Sequence, residues 1–263
     1  MSEIRIGTSG WHYDSWRGRF YPRDVPKKHL LQYYATQFDT TELNAPFYRR
    51  PTLQAVEGWR DVTPRGFCFA WKASRFITHW KRLSGKSKRS IRLIETRLKR
   101  LRPKAGPVLF QLPPRFKADR ERLVRFLKLL PKRHRYVFEF RDASWYEAPI
   151  LELLKERNVA LCISDHEDAP APWEATAQHV YVRGHGPTGR YTGSYSDAAL
   201  KAWARRIRRW RKEGRDVYCY FDNDQKSAAP FDAQRLMKLL RVRARTQGAA
   251  EAKSKSASTR SSR

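Results

Sequence analysis

The sequence predicts an α/β protein, a single closed (β/α)8 barrel with a disordered basic C-terminal tail. Eight short runs rich in β-branched and aromatic residues alternate with segments whose apolar residues recur every three and four positions. Strict alternation implies right-handed βαβ units and parallel strands. The 263 residues suit one such barrel, which typically needs about 250. No GxGxxG follows the first strand, which argues against an open dinucleotide-binding sheet.

The first strand is read at residues 4–9, followed by a helix at 26–37 with Leu30, Leu31 and Tyr34 on one face. The second strand is 40–44, and its helix at 52–61 repeats Leu53, Val56 and Trp59. The third strand, 67–73, leads to a long basic helix at 86–101 striped by Ile91, Ile94, Leu98 and Leu101. The fourth, 107–112, stops at Pro113 and Pro114, which cannot donate to a ladder, and a helix follows at 120–130. The fifth strand is 136–140 with a helix at 146–157. The sixth is 159–164, and the Pro-rich APAPWEAT after it is expected to hold little or no helix. The seventh, 180–183, opens a glycine-rich loop before a helix at 197–213. The eighth is 217–221, with a last helix at 231–242.

The barrel is assigned to residues 1–245. Residues 246–263, rich in Ser, Lys and Arg, are too poor in apolar groups to offset ordering entropy and are expected to be disordered. The formal charge is +29; residues 241–263 hold seven Arg and Lys against Glu251, a net +6, which leaves +23 on residues 1–240. Such a field attracts polyanions without specifying one. Cys68, Cys162 and Cys219 sit among apolar neighbours with no CxxC spacing, the pattern of buried reduced thiols. With no secretory signal and no stretch of about 20 apolar residues, a cytoplasmic protein without a membrane span is expected.

Barrels place their chemistry at the C-terminal ends of the strands. Here those ends carry Ser9; Glu42 and Asn44; Lys72; Gln111; Glu139 and Arg141; Asp165 and His166; Arg183 and His185; Asp222 and Asn223. Side chains alternate faces along a strand, so Glu42 with Asn44, Glu139 with Arg141, and Arg183 with His185 can each point into the mouth together. Glu42, Glu139 and Asp165 are candidate acid/base residues. Asn44, Lys72, His79, Gln111, Arg141, Arg183, His185 and Asp222 are candidate binding residues. Glu139 with Arg141 reads equally as a buried pair that seals the barrel.

Other chemistries have weaker footing. Glu42, Glu139, Asp165, His166 and His185 are ligands that suit Mg, Mn or Zn, but no compact ligand motif appears, and no metal or other cofactor is assigned. The strand ends where barrel glycosidases commonly place their carboxylates carry Gln111 and Arg183. The loop RGHGPTGRYTGSY could bring backbone N–H groups and Arg183 or Arg190 to a phosphate, or simply build a long turn. The first turn gathers Trp11, Tyr13 and Trp16 around Arg17, read mainly as a packed plug and secondarily as a stacking surface.

The pieces IRIGTSGWHYDSWRGRFYP, TTELNAPFYRRP, FAWKASRFITH, PVLFQLPPRF, FEFRDASWY, YVRGHG and VYCYFDND, in this order over residues 4–240, resemble the YecE-like proteins. The resemblance implies a TIM-type barrel and implies no reaction. Its motifs fall on Glu42, Asn44, Lys72, His79, Gln111, Glu139, Arg141, Arg183 and Asp222.

Two readings follow. In the first, the barrel is an enzyme, with hydrolase or lyase chemistry open, acting on an anionic small molecule or a nucleic-acid-derived substrate. Glu139→Gln should then leave folding intact and abolish turnover. In the second, the barrel binds nucleic acid without catalysis through its Arg-rich segments at 86–104 and 201–215, which must then share one exposed face. Neither reading sets an oligomeric state.

Overall fold

The computed structural model describes residues 2–244. Eight parallel strands form one sheet: β1 (Ile4–Thr8), β2 (Thr40–Leu43), β3 (Cys68–Lys72), β4 (Ala105–Gln111), β5 (Tyr136–Glu139), β6 (Ala160–Ser164), β7 (His179–Gly184) and β8 (Asp216–Phe221). Around the sheet they run in the order β1-β8-β7-β6-β5-β4-β3-β2, which brings β2 back to β1 as a barrel requires.

That last seam is thin. Ser9 and Glu42 form a single parallel bridge across it. Below the bridge the Tyr34 hydroxyl stands between the strands, accepting the Thr8 N–H at 2.9 Å and donating to the Thr40 carbonyl at 3.1 Å. Gly7 is required here, because a Cβ would lie 2.3 Å from the Thr40 oxygen.

The helices are α1 (Leu30–Gln37), α2 (Ala45–Tyr48), α3 (Leu53–Asp61), α4 (Lys88–Leu101), α5 (Arg120–Leu127), α6 (Ala148–Glu156), α7 (Asp197–Lys212) and α8 (Ala228–Leu240). Their apolar stripes bury as the spacing predicts: Ile91, Ile94, Leu98 and Leu101 of α4, and Leu200, Trp203, Ile207 and Trp210 of α7. Side chains start the helices as well. Thr52, Asp119 and Ser196 each accept a backbone N–H at the N-cap of α3, α5 and α7.

Boundaries differ from the sequence reading mainly at first turns. Residues 27–29 are 3₁₀ before α1, and α6 begins at Ala148 with Pro149 in its first turn. Short elements escape the periodicity altogether, among them the one-turn α2 and a π-helix at Phe76–Trp80. Both are too short to show a repeat. Among the described residues no helix follows β6, as its prolines predict. Instead Trp173 of that loop stacks on Trp210 at 6.1 Å and meets Trp203 edge-on, under the Arg206 guanidinium.

The period of two along each strand separates two cores. One packs the outer strand faces against the helices. The other fills the barrel interior with Cys68, Ala70, Leu109, Val137, Ala160, Cys162, Ala177, Tyr181, Tyr218 and Tyr220. The next inward position on β2 to β8 is polar: Glu42, Lys72, Gln111, Glu139, Ser164, Arg183 and Asp222. The lower barrel is therefore a packed solid, and the upper barrel is a charged layer. Cys68, Cys162 and Cys219 are buried and unpaired. No helix among the described residues is long and apolar enough to cross a membrane.

Candidate functional site

The charged layer is organised by Arg183, whose side chain is fully buried. Its Nη1 donates to Glu139 Oε2 at 2.8 Å, and its Nη2 donates to Glu42 Oε1 at 2.9 Å and to Asp222 Oδ2 at 2.7 Å. Burial alone would lower the Arg183 pKa, but Glu139, Glu42 and Asp222 raise it well above its ordinary value. Glu42 also accepts from Tyr181 at 2.6 Å and from Ser9. Arg141 closes the other side, with Nε 2.7 Å from Glu139 Oε1. Burial works against the Glu139 carboxylate, and Arg141 with Arg183 still holds its pKa well below the usual range.

His185 lies inside the same network. Both Arg183 Nη1 (3.0 Å) and Arg141 Nη2 (3.3 Å) donate to its Nε2, which puts the ring proton on Nδ1, toward Ser164 Oγ and Asp165 Oδ1. Burial and then Arg183 hold the His185 pKa well below 6.5, so the ring is neutral. Asp165 turns aside to accept from the Tyr195 hydroxyl and from the His185 backbone N–H at 2.7 Å, and burial pushes its pKa up to about 6.

Above this floor opens a cavity of about 870 Å³. Its walls include Asn44, Lys72, His79, Gln111 and Asp222, five of the predicted site residues, together with Trp11, Tyr13, Phe47, Tyr48, Tyr191 and Asp224. Glu42, Glu139, Arg183 and His185 lie in the buried layer beneath it, and Arg141 and Asp165 do not line it. The sequence reading thus named residues of one connected site but did not separate its lining from its floor.

Lys72 is the cation of this lining. It is only 7% exposed, and its ammonium rests 4.6 Å from the Phe47 ring centroid. Among the described residues it makes no hydrogen bond or ion pair. Burial, then Arg183, lowers its pKa. His79 is placed by the π-helix; burial and then Lys72 lower its pKa to about 4, so it is neutral.

Asp224 was missed by the sequence reading, although it shares the parity of Asp222. Burial and then the Asp222 charge push its pKa up to about 8, and its Oδ1 has no hydrogen-bond partner among the described residues. Tyr13 reaches both Asp224 and the Ser9 carbonyl, the latter at 2.5 Å. Trp16, by contrast, is fully buried, its Nε1 donating to the Asp224 carbonyl at 3.2 Å. The first turn is therefore a plug at Trp16 and a cavity wall at Trp11 and Tyr13.

Three expectations are affected. In the glycine loop after β7, three of the backbone N–H groups that could face a phosphate are taken up within the protein. The His185 N–H is held by Asp165, that of Gly186 donates to the Tyr195 hydroxyl at 2.8 Å, and that of Gly189 to the Gly186 carbonyl at 2.8 Å. Gly186, with φ of +96° and a Cβ position 2.2 Å from the Thr192 oxygen, is there for the turn. Arg190 faces outward and pairs with Glu167. Glu139 is engaged at both oxygens by buried arginines, so Glu139→Gln is expected to disturb folding as well as any turnover. The two Arg-rich segments do not share a face either. The first includes α4 after β3 and the second includes α7 after β7, four strands away around the barrel. Among the described residues, no three His, Cys, Asp or Glu side chains form a metal-holding group.

The chain is similar to the UPF0759 protein YunF of Bacillus subtilis (strain 168), 26% identical over 272 residues that cover 91% of this chain and 95% of the relative. Its fold is similar to the crystal structure of a DUF72 family protein from Thermotoga maritima MSB8, with a TM-score of 0.81 and 25% identity over 91% of this chain and 99% of that one. A DUF72 family protein from Enterococcus faecalis V583 matches in fold, with a TM-score of 0.77 and 20% identity over 91% of this chain and 96% of that one. Residues 5–257 match the family described as "Protein of unknown function DUF72", also the family behind the YecE-like resemblance, and this chain belongs to it.

Proposed function

We propose that the protein is an enzyme acting in the barrel mouth on a substrate with an anionic group, which Lys72 receives while Asp222 and Asp224 move protons. One observation carries the reading: Lys72 is a buried cation on the cavity wall with no carboxylate partner, whereas Arg141 and Arg183 are already neutralised. A buried unpaired ammonium costs free energy that an incoming anion offsets.

The two aspartates supply the chemistry. Burial raises the Asp222 pKa, and Arg183 and then Lys72 oppose that rise, so Asp222 serves as the base, while Asp224, with its pKa near 8, holds a proton at neutral pH and serves as the acid. Two carboxyl groups with distinct environments are the usual basis for such a division. Gln111, Asn44 and neutral His79 are left to orient the polar remainder of the substrate. Glu42 and Glu139 become positioning residues that fix Arg183, rather than the acid and base themselves. Acid/base chemistry of this kind fits a hydrolase or a lyase. Three buried cysteines without a disulfide are in keeping with a cytoplasmic setting.

The test is thermal stabilisation of the full chain by inorganic phosphate, a sugar phosphate and a nucleoside monophosphate at fixed ionic strength. Lys72→Met should abolish the stabilisation while Arg190→Ala, outside the cavity, retains it. Equal stabilisation of the Lys72→Met protein would overturn the assignment.

A further inference from the structure

The rim of the mouth on its β2–β3 side is unlike the rest of the surface. Tyr48 and Trp80 are 67% and 66% exposed, and Phe76 is 37% exposed beside them. Tyr48 comes from α2, and Phe76 and Trp80 from the π-helix, the two short elements that also hold Phe47 and His79 in the cavity wall. Arg75 lies between the exposed rings, its guanidinium carbon 5.9 Å from the Tyr48 centroid and 5.5 Å from the Trp80 centroid. Lys81 lies 5.3 Å from the Phe76 centroid.

The charge here is one-sided. Residues 62–94 contain nine Arg and Lys and no Asp or Glu. Arg75, Lys81, Arg82, Lys86, Lys88, Arg89 and Arg92 among them make no ion pair with the described residues. Because α4 follows β3, its N-terminal turn, with Lys88 and Arg89, lies at the mouth end of the barrel. A face that offers flat rings and cations together matches a polyanion with exposed π-faces. Stacking needs base faces that a duplex conceals and a single strand presents.

We propose that this rim binds single-stranded nucleic acid, with bases stacked on Tyr48 and Trp80 and phosphates held by Arg75, Lys81 and Arg82. The strand then runs past the open side of the cavity, within reach of Lys72. This deepens the mouth-enzyme reading by naming its substrate class, and that last step rests on it; the stacking on the rim does not. An anionic lipid surface also attracts aromatic and basic groups. The rings here border a concave opening with a cation interleaved between them, which suits stacking bases better than insertion into a bilayer.

The experiment is fluorescence anisotropy of a labelled 12-nucleotide dT strand with the full chain, across a salt series, beside a 12-base-pair duplex. The single strand should bind more tightly than the duplex. The Tyr48→Ala/Trp80→Ala double variant should weaken it by about tenfold or more. Lys201→Ala/Arg205→Ala on α7, which removes two charges on the far side, should change affinity by less than about twofold. Equal affinity of the rim variant and the parent overturns the proposal, as does an equal loss in the α7 variant. Binding to phosphatidylserine vesicles in place of the strand overturns it too. Lys72→Met separates the two readings: the rim proposal expects dT binding to persist when phosphate stabilisation is lost. Phosphate stabilisation that depends on Lys72, with no dT binding, leaves the mouth reading standing and ends this one.

Discussion

Arg183 of β7 and Glu139 of β5 meet inside the barrel at 2.8 Å, with neither side chain exposed to solvent. The guanidinium is the hub of three carboxylates, so its removal leaves Glu42, Glu139 and Asp222 facing one another. Arg183→Met should destabilise the fold by about 3–5 kcal/mol, measured by urea denaturation. The pH dependence should change sign. In the parent, Glu139 has a depressed pKa and contributes stability above its ordinary 4.5, which is lost as pH falls through the depressed value. In the variant, mutual repulsion and burial raise the carboxylate pKa values, and stability falls as pH rises above about 5. A variant as stable as the parent at pH 7 would remove Arg183 from the centre of the layer.

Lys72→Met should act in the opposite direction. The parent lysine has a lowered pKa, so below 10.5 the unfolded chain binds a proton more readily than the folded one, and stability declines as pH falls. Methionine removes that loss. The ligand-free variant should gain about 1 kcal/mol at pH 7, raising Tm by about 2–4 °C in calorimetry. A lower Tm would show that the ammonium is already compensated in the parent.

Asp224 gives a pH signature of its own. With a folded pKa of about 8 against an ordinary 3.8, it is protonated in the folded state over a range where the unfolded chain has released the proton. Its contribution to stability is intact below about pH 4 and declines up to about pH 8. Asp224→Asn should flatten that decline in a pH series of denaturation curves. In an activity assay the same proton should produce an alkaline limb centred near pH 8, absent from the residual rate of the variant.

Tyr34→Phe tests the joint between β1 and β2. Its hydroxyl satisfies the Thr8 N–H and the Thr40 carbonyl, and no neighbouring ladder replaces it. Loss of the oxygen leaves two buried backbone groups unpaired and should cost about 1–3 kcal/mol. Gly7→Ala should cost more, since the added methyl meets backbone rather than a flexible side chain. Unfolding midpoints unchanged in both would mean the seam contributes little to the barrel.

The barrel and the polar layer were legible because both follow from a period of two in short strands. Cys68, Ala70 and Lys72, or Val137 and Glu139, read apolar then polar toward the strand end, and that is how they stand in the interior. What the sequence could not separate was depth. Arg183 and Lys72 look alike as cations at strand ends, yet Arg183 is neutralised by residues 39, 44 and 141 positions away, contacts that no local pattern records. Tyr191 reached the wall by a left-handed turn with φ of +65°, on a loop without periodicity. Asp224 keeps the parity of Asp222 but lies beyond the end of β8, where strand alternation no longer dictates direction. The opposite placement of α4 and α7 follows from counting strands around a ring, information present in the order of elements and absent from their composition.

A barrel joined along seven edges by ladders and along the eighth by one bridge has a preferred line along which to breathe. Amide protons at that line, those of Thr8 and Gly10 among them, should exchange with solvent through local opening before the molecule unfolds. The bridge at its upper end is Ser9 with Glu42, and both contact the Arg183 guanidinium. Each such opening would loosen two anchors of the hub that positions Asp222, which ties the weakest edge of the sheet to the floor of the mouth.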